Sequence, residues 1–137
     1  MSVDTQTGQI NVHKLVGAHD VGFAVNPMIV EGQIEGGLIQ GLGYATTEEI
    51  MYSEAGRQNN NNMHTYMVPT IHEIPEIESI IVESCDPQGP YRAKGAGECS
   101  LVCPAGAIAN AVSDALGVRV KQILMTPERV LNLIKNK

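Results

Sequence analysis

The stretch NPMIVEGQIEGGLIQGLGYATTEEI, residues 26–50, decides the fold because it predicts one long central helix. Asn26 and Pro27 mark the helix start, since an asparagine side chain can cap free backbone N–H groups and proline suits the first helical position. Apolar residues at steps of four then form a ridge that can face a core, namely Val30, Ile34, Leu38 and Leu42.

Five glycines interrupt this predicted helix, at positions 32, 36, 37, 41 and 43. Each one costs about 1 kcal/mol relative to alanine in a helix interior. We therefore expect another backbone or a ligand to pack very closely against the helix. Glycines four apart are also typical of membrane helix dimers, but the polar residues between them exclude that alternative: Glu31, Gln33, Glu35 and Gln40.

A second stretch, RAKGAGECS at residues 92–100, carries the candidate chemistry. Gly95, Ala96 and Gly97 lead directly into the carboxylate of Glu98. Because glycine lets other groups approach the backbone, such a loop can hold Glu98 at an unusual angle against a ligand. The alternative is an ordinary surface turn whose carboxylate lies near a helix N-terminus, where negative charge is favoured.

The remaining segments predict an α+β fold, with a mixed sheet of a few strands, on which the glycine-rich helix and an alanine-rich helix pack. The length of residues 1–137 predicts a single domain. A hairpin over residues 3–12, turning near Gly8, continues as a strand towards Ala18. The apolar run at residues 77–84 predicts a strand buried on both faces. The later elements are an alanine-rich helix from Pro104 closed by Gly117, an extended piece at 118–124, and a last helix started by Thr126 and Pro127.

Composition excludes several classes of function. Nine Lys and Arg against fifteen Asp and Glu give a net charge of -6, which argues against a nucleic-acid surface. No apolar run approaches the length of a membrane span, and the N-terminus lacks the pattern of a secretory signal. Neither a Walker A pattern nor a complete GxGxxG occurs, which argues against a nucleotide binder. We therefore expect a cytoplasmic protein that binds neither nucleic acid nor membrane.

The three cysteines, Cys85, Cys99 and Cys103, have no spacing typical of a metal site. Cys99 and Cys103 would share one face of a helix, but a zinc ion would still lack two ligands. We expect reduced thiols that behave as small buried apolar groups.

Several blocks, in order, resemble the C-terminal portion of the molybdopterin-binding subunit of the xanthine dehydrogenase and aldehyde oxidoreductase family, the molybdenum hydroxylases. The blocks cover nearly the whole chain: the TG hairpin, DVGFAVNPMIVEGQIEGGLIQGLGYATTEE, residues 66–69, IPEI, AKGAGE, AIANAV and TPERV. Enzymes of that family hydroxylate an electron-poor carbon of a heterocycle or an aldehyde. They take the oxygen from water and pass two electrons to iron-sulfur clusters.

The resemblance implies roles for individual residues. Glu98 matches the family's active-site glutamate, the general base beside the metal. Gln33 matches the glutamine that hydrogen-bonds the pterin, and Gly95, Ala96 and Gly97 let backbone approach the cofactor. Cys99 stands where the family usually has proline, a change that would loosen the loop carrying Glu98.

The resemblance also implies a larger assembly, because the family's molybdenum-bearing chain is several times longer than this one. We expect molybdenum-molybdopterin to be shared with the remainder of the molybdenum-binding subunit, with iron-sulfur and FAD subunits or domains as further partners. The isolated chain should then bind no cofactor and be inactive. The alternative is a non-catalytic folded remnant that forms homo-oligomers through exposed apolar surface.

Overall fold

The computed structural model describes residues 1–136, which contain two small sheets, four α-helices and a short 3-10 helix at Pro90–Arg92. Strands β1 (Ser2–Val3) and β2 (Ile10–Asn11) pair antiparallel, and β3 (Lys14–Asp20) pairs in parallel with β4 (Glu76–Val82). The helices are α1 (Pro27–Thr46), α2 (Cys99–Val102), α3 (Pro104–Leu116) and α4 (Pro127–Lys135). The predicted α+β class is confirmed. Its strands form two separate sheets because β2 ends at Asn11 and β3 then turns to pair with β4.

Helix α1 lies at the centre of the molecule and begins where the sequence predicts. The Asn26 side chain accepts a hydrogen bond from the Ile29 backbone N–H at 3.3 Å, and Pro27 takes the first helical position. Three members of the predicted ridge are buried: Ile34, Leu38 and Leu42. One side of α1 contacts β3 and β4, and another contacts α2 and α3.

Helices α3 and α4 confirm the predicted caps. Gly117 adopts a left-handed conformation (φ 64°) that closes α3, and Thr126 accepts a hydrogen bond from the Arg129 backbone N–H at the start of α4. The segment between them was predicted to be extended, and it contains no strand. It folds back on the helices instead, because Ser113 Oγ accepts from the Val120 N–H at 3.0 Å and Arg129 donates to the Leu124 carbonyl.

The prediction that the second long strand is buried on both faces is wrong. Burial alternates along β4, and only one face of the β3–β4 sheet lies against α1. On the other face Val16 is 54% exposed, Ile80 41% and Val82 44%. Continuous apolar sequence therefore marks a surface that no described residue covers, and such parallel pairs are ordinarily covered on both faces.

One run is apolar and long enough to cross a membrane by length and composition, Cys99–Leu116, which corrects the expectation that no run approaches that length. In the structure this run is two helices, α2 and α3, separated at Cys103. Ser100, Pro104 and Ile108 are buried within the described fold.

Three of the glycines in α1 have a packing reason: Gly37, Gly41 and Gly43, and at Gly43 a Cβ would overlap the Glu48 carboxylate. A Cβ at Gly37 would overlap the Ser100 hydroxyl, and a Cβ at Gly41 would lie 2.7 Å from Pro104 Cγ. In contrast, apart from the neighbouring helix backbone, no atom of the described residues lies within 4 Å of the Cβ position at Gly32 or Gly36. The close packing expected from the sequence is therefore present on one stripe of the helix, while another stripe stays open.

This difference predicts opposite effects of the same substitution. Gly41→Ala should lower the free energy of unfolding by about 1–3 kcal/mol, because the new methyl group overlaps Pro104. Gly36→Ala should raise it by up to about 1 kcal/mol, because alanine favours the helix and meets no neighbour. Urea unfolding of the 137-residue chain measures both. Equal changes in the two variants would contradict the packing described here.

Candidate functional site

A shallow cleft of about 300 Å³ lies between the first half of α1 and the loop that precedes α2. It brings together two segments that are far apart in the chain, since Gln33 and Gly97 are separated by 64 positions. The cleft is lined by Gly32, Gln33, Gly36, Gly37, Gln40, Gly97, Glu98 and Leu101. Three residues predicted from the sequence, Gln33, Gly97 and Glu98, therefore share one site.

Hydrogen bonds fix the end of the loop against α1. Gln33 Nε2 donates to the Gly97 carbonyl at 3.0 Å, and Ser100 Oγ donates to the Gln33 carbonyl at 3.3 Å. Ser100 is buried, and it is the residue that packs on Gly37. Because Gln33 uses one amide hydrogen on Gly97, its other hydrogen and its carbonyl oxygen remain available to a bound group.

Glu98 is exposed at the rim of this cleft. Among residues 1–136 its carboxylate has no hydrogen-bond or ion-pair partner. The backbone N–H groups of residues 95–98 likewise donate to no acceptor within the part of the chain that the structure describes. One free carboxylate and a row of free donors therefore lie side by side, an arrangement that suits a ligand with its own polar edge.

Gly95, Ala96 and Gly97 differ in their position relative to this cleft. Gly97 lines it, whereas Gly95 and Ala96 lie earlier in the loop and do not. Apart from the adjacent residues, no atom in the described part of the chain lies within 4 Å of the Cβ position at either Gly95 or Gly97. The lack of side chains at Gly95 and Gly97 therefore leaves the loop backbone accessible to another molecule. Packing within the described residues does not explain why glycine stands at either position.

The sequence assigned no site role to five residues that line the cleft: Gly32, Gly36, Gly37, Gln40 and Leu101. Gln40 donates to the Tyr44 hydroxyl at 3.0 Å, one turn further along α1. The signal for the glycines was present, because two of the five helix glycines find no packing partner. Only the structure separates those two from the glycines that the core requires.

The cysteines do not behave as expected from the sequence. Cys99 and Cys103 are exposed and Cys85 is half-buried, so the expectation of buried thiols is wrong for two of the three. Cys99 is exposed because it starts α2 on the side away from α1, while its neighbour Ser100 takes the buried position. Within residues 1–136 no cluster of three or more His, Cys, Asp or Glu side chains could hold a metal ion.

A larger cavity of about 470 Å³ lies elsewhere, between β2, the end of α1 and the start of α4. It contains none of the residues that the sequence singled out for chemistry. Apolar and polar side chains alternate around it, including Ile10, His72 and Met125. The smaller cleft is the candidate site because the predicted base lies there beside loop backbone whose N–H groups have no acceptor among the described residues.

The bond between Gln33 and Gly97 predicts a local effect. Gln33→Ala should free the loop end, so that the Leu101 amide, which donates to the Glu98 carbonyl at 3.3 Å, exchanges several-fold faster with solvent. Gln40→Ala is the matched control, because Gln40 lines the same cleft but bonds only Tyr44. Amide hydrogen exchange followed by NMR gives the comparison. Identical exchange at Leu101 in both variants would mean that Gln33 does not hold the loop.

The sequence matches the family model described as molybdopterin cofactor-binding domain over residues 1–75. It is 36% identical over 131 residues to the xanthine dehydrogenase molybdenum-binding subunit of Escherichia coli O157:H7, covering 95% of this chain and 17% of that protein. It is 35% identical over 140 residues to the aldehyde oxidoreductase of Megalodesulfovibrio gigas, covering 98% of this chain and 15% of that protein.

The fold agrees with these sequence matches. It is similar to the crystal structure of quinoline 2-oxidoreductase from Pseudomonas putida 86, with a TM-score of 0.92 and 33% identity, covering 98% of this chain and 18% of that one. The chain therefore spans less than one fifth of the length of each of these three relatives. Gln33 lies inside the residues matched by the family model, and Glu98 lies beyond them.

Proposed function

The chain belongs to the molybdopterin cofactor-binding family of the xanthine dehydrogenases and aldehyde oxidoreductases, and we propose that it forms one wall of a molybdenum hydroxylase active site. Glu98 is the proposed general base, and Gln33 and the loop of Gly95, Ala96 and Gly97 are the proposed cofactor-binding groups. The observation that carries the proposal is the cleft in which Gln33, Gly97 and Glu98 meet.

The residues of the cleft fit a pterin. Its wall at Gly32 and Gly36 is bare backbone, with no atom of the described residues, apart from the neighbouring helix backbone, within 4 Å of either Cβ position. The amide side chains of Gln33 and Gln40 and the unpaired N–H groups of the loop offer donors and acceptors to a flat ring with amide-like edges. Metal coordination would come from the cofactor, so the lack of a metal-binding side-chain cluster among the described residues does not conflict with the proposal.

When bound, the molybdenum cofactor supplies oxygen transfer to an electron-poor carbon and accepts two electrons. The contribution of this chain is to hold the cofactor edge through Gln33 and the loop backbone, and to place a carboxylate beside the reacting groups. The Glu98 carboxylate would accept the proton released in that chemistry. No donor among the described residues occupies this carboxylate, so it is free to face a bound group.

The chain supplies parts common to several reactions. The three relatives are named for xanthine, an aldehyde and quinoline, and this chain aligns with more than nine tenths of its length to each. A shared segment can carry the cofactor contact and the base but not the choice among such different substrates. We therefore assign substrate selection to the rest of the molybdenum-binding subunit.

Exposed apolar residues around the start of α1 support a role for that larger subunit as partner. Val25 is 68% exposed, Met28 75% and Ile29 62%, all within one turn of the helix start and close in sequence to Gln33. An apolar patch beside a polar cleft is typical of a protein interface. We propose that the remainder of the subunit covers it and closes the site, with iron-sulfur and FAD subunits or domains receiving the electrons.

Glu98→Gln tests the assignment of the base. In the assembled enzyme, the variant should lose at least about 100-fold in kcat, since a positioned general base contributes on that scale or more. Its molybdenum content should be unchanged, because glutamine has nearly the same shape. Glu54→Gln, an exposed carboxylate in the loop between α1 and β4, is the control and should be fully active. Full activity of Glu98→Gln would contradict the assignment of Glu98 as the general base.

The alternative, a non-catalytic oligomerising module, gives a different result when the tagged chain is purified from its host. A site shared with the larger subunit predicts molybdenum and a much longer polypeptide in the same preparation. A metal-free oligomer of this chain alone would favour the alternative, with the patch at Val25, Met28 and Ile29 as the contact.

A further inference from the structure

We propose that Asp20, Ser84 and Lys94 form a clamp that holds the loop at residues 95–97 and so positions Glu98 over the cleft. Only the importance of Glu98 in this statement rests on the proposed function. The clamp itself joins three segments at the carboxyl ends of β3 and β4, since Asp20 is the last residue of β3 and Ser84 follows β4. Asp20 and Lys94 are separated by 74 positions in the chain.

The three side chains contact one another directly. Lys94 Nζ lies 2.5 Å from Asp20 Oδ2 and 2.8 Å from Ser84 Oγ, and Ser84 Oγ donates to Asp20 Oδ2 at 2.7 Å. The other carboxylate oxygen of Asp20 accepts from the backbone N–H groups of Gly22 and Ser84. These donors, Lys94 first and then the Ser84 hydroxyl, hold the pKa of Asp20 well below its usual range, so the carboxylate is charged at neutral pH.

Backbone contacts attach the same point of the loop to the strand ends. The Lys94 N–H donates to the Val21 carbonyl at 2.8 Å, and the Asp86 N–H donates to the Arg92 carbonyl at 3.0 Å. Gly22 has a positive φ of 70°, and a Cβ there would overlap the Arg92 carbonyl oxygen and lie 2.9 Å from the Lys94 nitrogen. Glycine is therefore required where the loop crosses the end of β3.

The backbone just before Lys94 is strained. Tyr91 and Arg92 are successive non-glycine residues with positive φ, 53° and 63°. Left-handed backbone is unfavourable for such residues and persists where surrounding contacts hold it. The clamp and the Val21 bond are the contacts that follow immediately in the chain.

Beyond Lys94 the loop makes no hydrogen bond to the described residues until Gly97. The amides of residues 95–98 find no acceptor among the described residues, and apart from the adjacent residues neither Gly95 nor Gly97 has an atom of that part of the chain within 4 Å of its Cβ position. The segment is therefore suspended between Lys94 at one end and the Gln33 bond at the other. Without its side-chain contacts, residue 94 would keep only its backbone bond to Val21, so this end of the loop would be held less firmly, which makes Lys94 a positioning residue.

Lys14 offers a matched control at the opposite end of the same two strands. Its Nζ lies 3.0 Å from Glu76 Oε1 and 2.7 Å from Glu78 Oε2. The two lysine side chains are similarly exposed, 42% for Lys14 and 37% for Lys94. Lys14→Met and Lys94→Met thus each remove one cation that joins β3 to the β4 side, but only the second touches the loop.

The test uses the full chain labelled with ¹⁵N and needs no cofactor. Lys94→Met should speed exchange of the backbone amides at position 94 and at Leu101 by about tenfold or more, because charge-assisted bonds are among the stronger ones. It should also shift the side-chain amide resonances of Gln33, which report on the Gly97 carbonyl. Lys14→Met should leave the exchange rates within about twofold of the wild type and the Gln33 resonances unshifted. Its effect on the free energy of unfolding in urea should be similar to that of Lys94→Met.

A milder variant covers the case in which Lys94→Met does not fold. Ser84→Ala keeps the ion pair and removes one hydroxyl, and it should show a smaller change of the same sign at Leu101 and Gln33. The clamp is overturned if Leu101 exchange and the Gln33 resonances are unchanged in Ser84→Ala and also unchanged in a folded Lys94 variant. Retained turnover in Glu98→Gln would instead remove the base assignment and leave the clamp standing, so the two failures are distinguishable.

Discussion

The close approach of α1 to the segment at residues 100–104 is the constraint on which the rest of this structure depends. Gly37 and Gly41 have no side chains, so Ser100 and Pro104 can lie directly on the helix backbone. This contact fixes α2 and the start of α3 against α1. Gln33 lies one helical turn before Gly37, and Glu98 lies two residues before Ser100, so the same contact brings Gln33 and the Glu98 loop together. The cleft is a geometric consequence of the packing beside it.

The glycines of α1 serve two purposes that the sequence does not separate. Gly37 and Gly41 are needed by the core, because a methyl group at either would overlap α2 or α3. Gly32 and Gly36 lie one turn apart on an open stripe that lines the cleft. Each of these open glycines costs helix stability without any gain inside the chain. Such a cost is expected where a surface is kept bare for a ligand, since function commonly retains residues that stability alone would not.

Local signals explain what the sequence predicted correctly. The caps at Asn26, Gly117 and Thr126 involve residues within four positions of one another, and helix ridges depend only on the helical repeat. The exposed face of β4 was mispredicted because burial of a strand depends on what packs over it, and the apolar run at 80–82 carries no information on whether that layer is present. The same reason explains the missed joint of Asp20 with Lys94, which pairs residues 74 positions apart.

The resemblance to the family pointed to Gln33 and Glu98, and both line one cleft in the structure. Cys99 takes the first position of α2, where the family usually has proline and where a proline ring would fix the backbone. A cysteine gives no such restraint, so the order of this loop must come from its two ends. Gln33 and Ser100 provide one end, and Lys94 with Asp20 and Ser84 provides the other.

Between them the backbone amides and the Glu98 carboxylate keep their hydrogen-bonding capacity for a partner. A loop fixed at both ends loses little further conformational freedom when a ligand binds, and this preorganisation is what the proposed base would require to meet a cofactor held partly by the rest of the subunit.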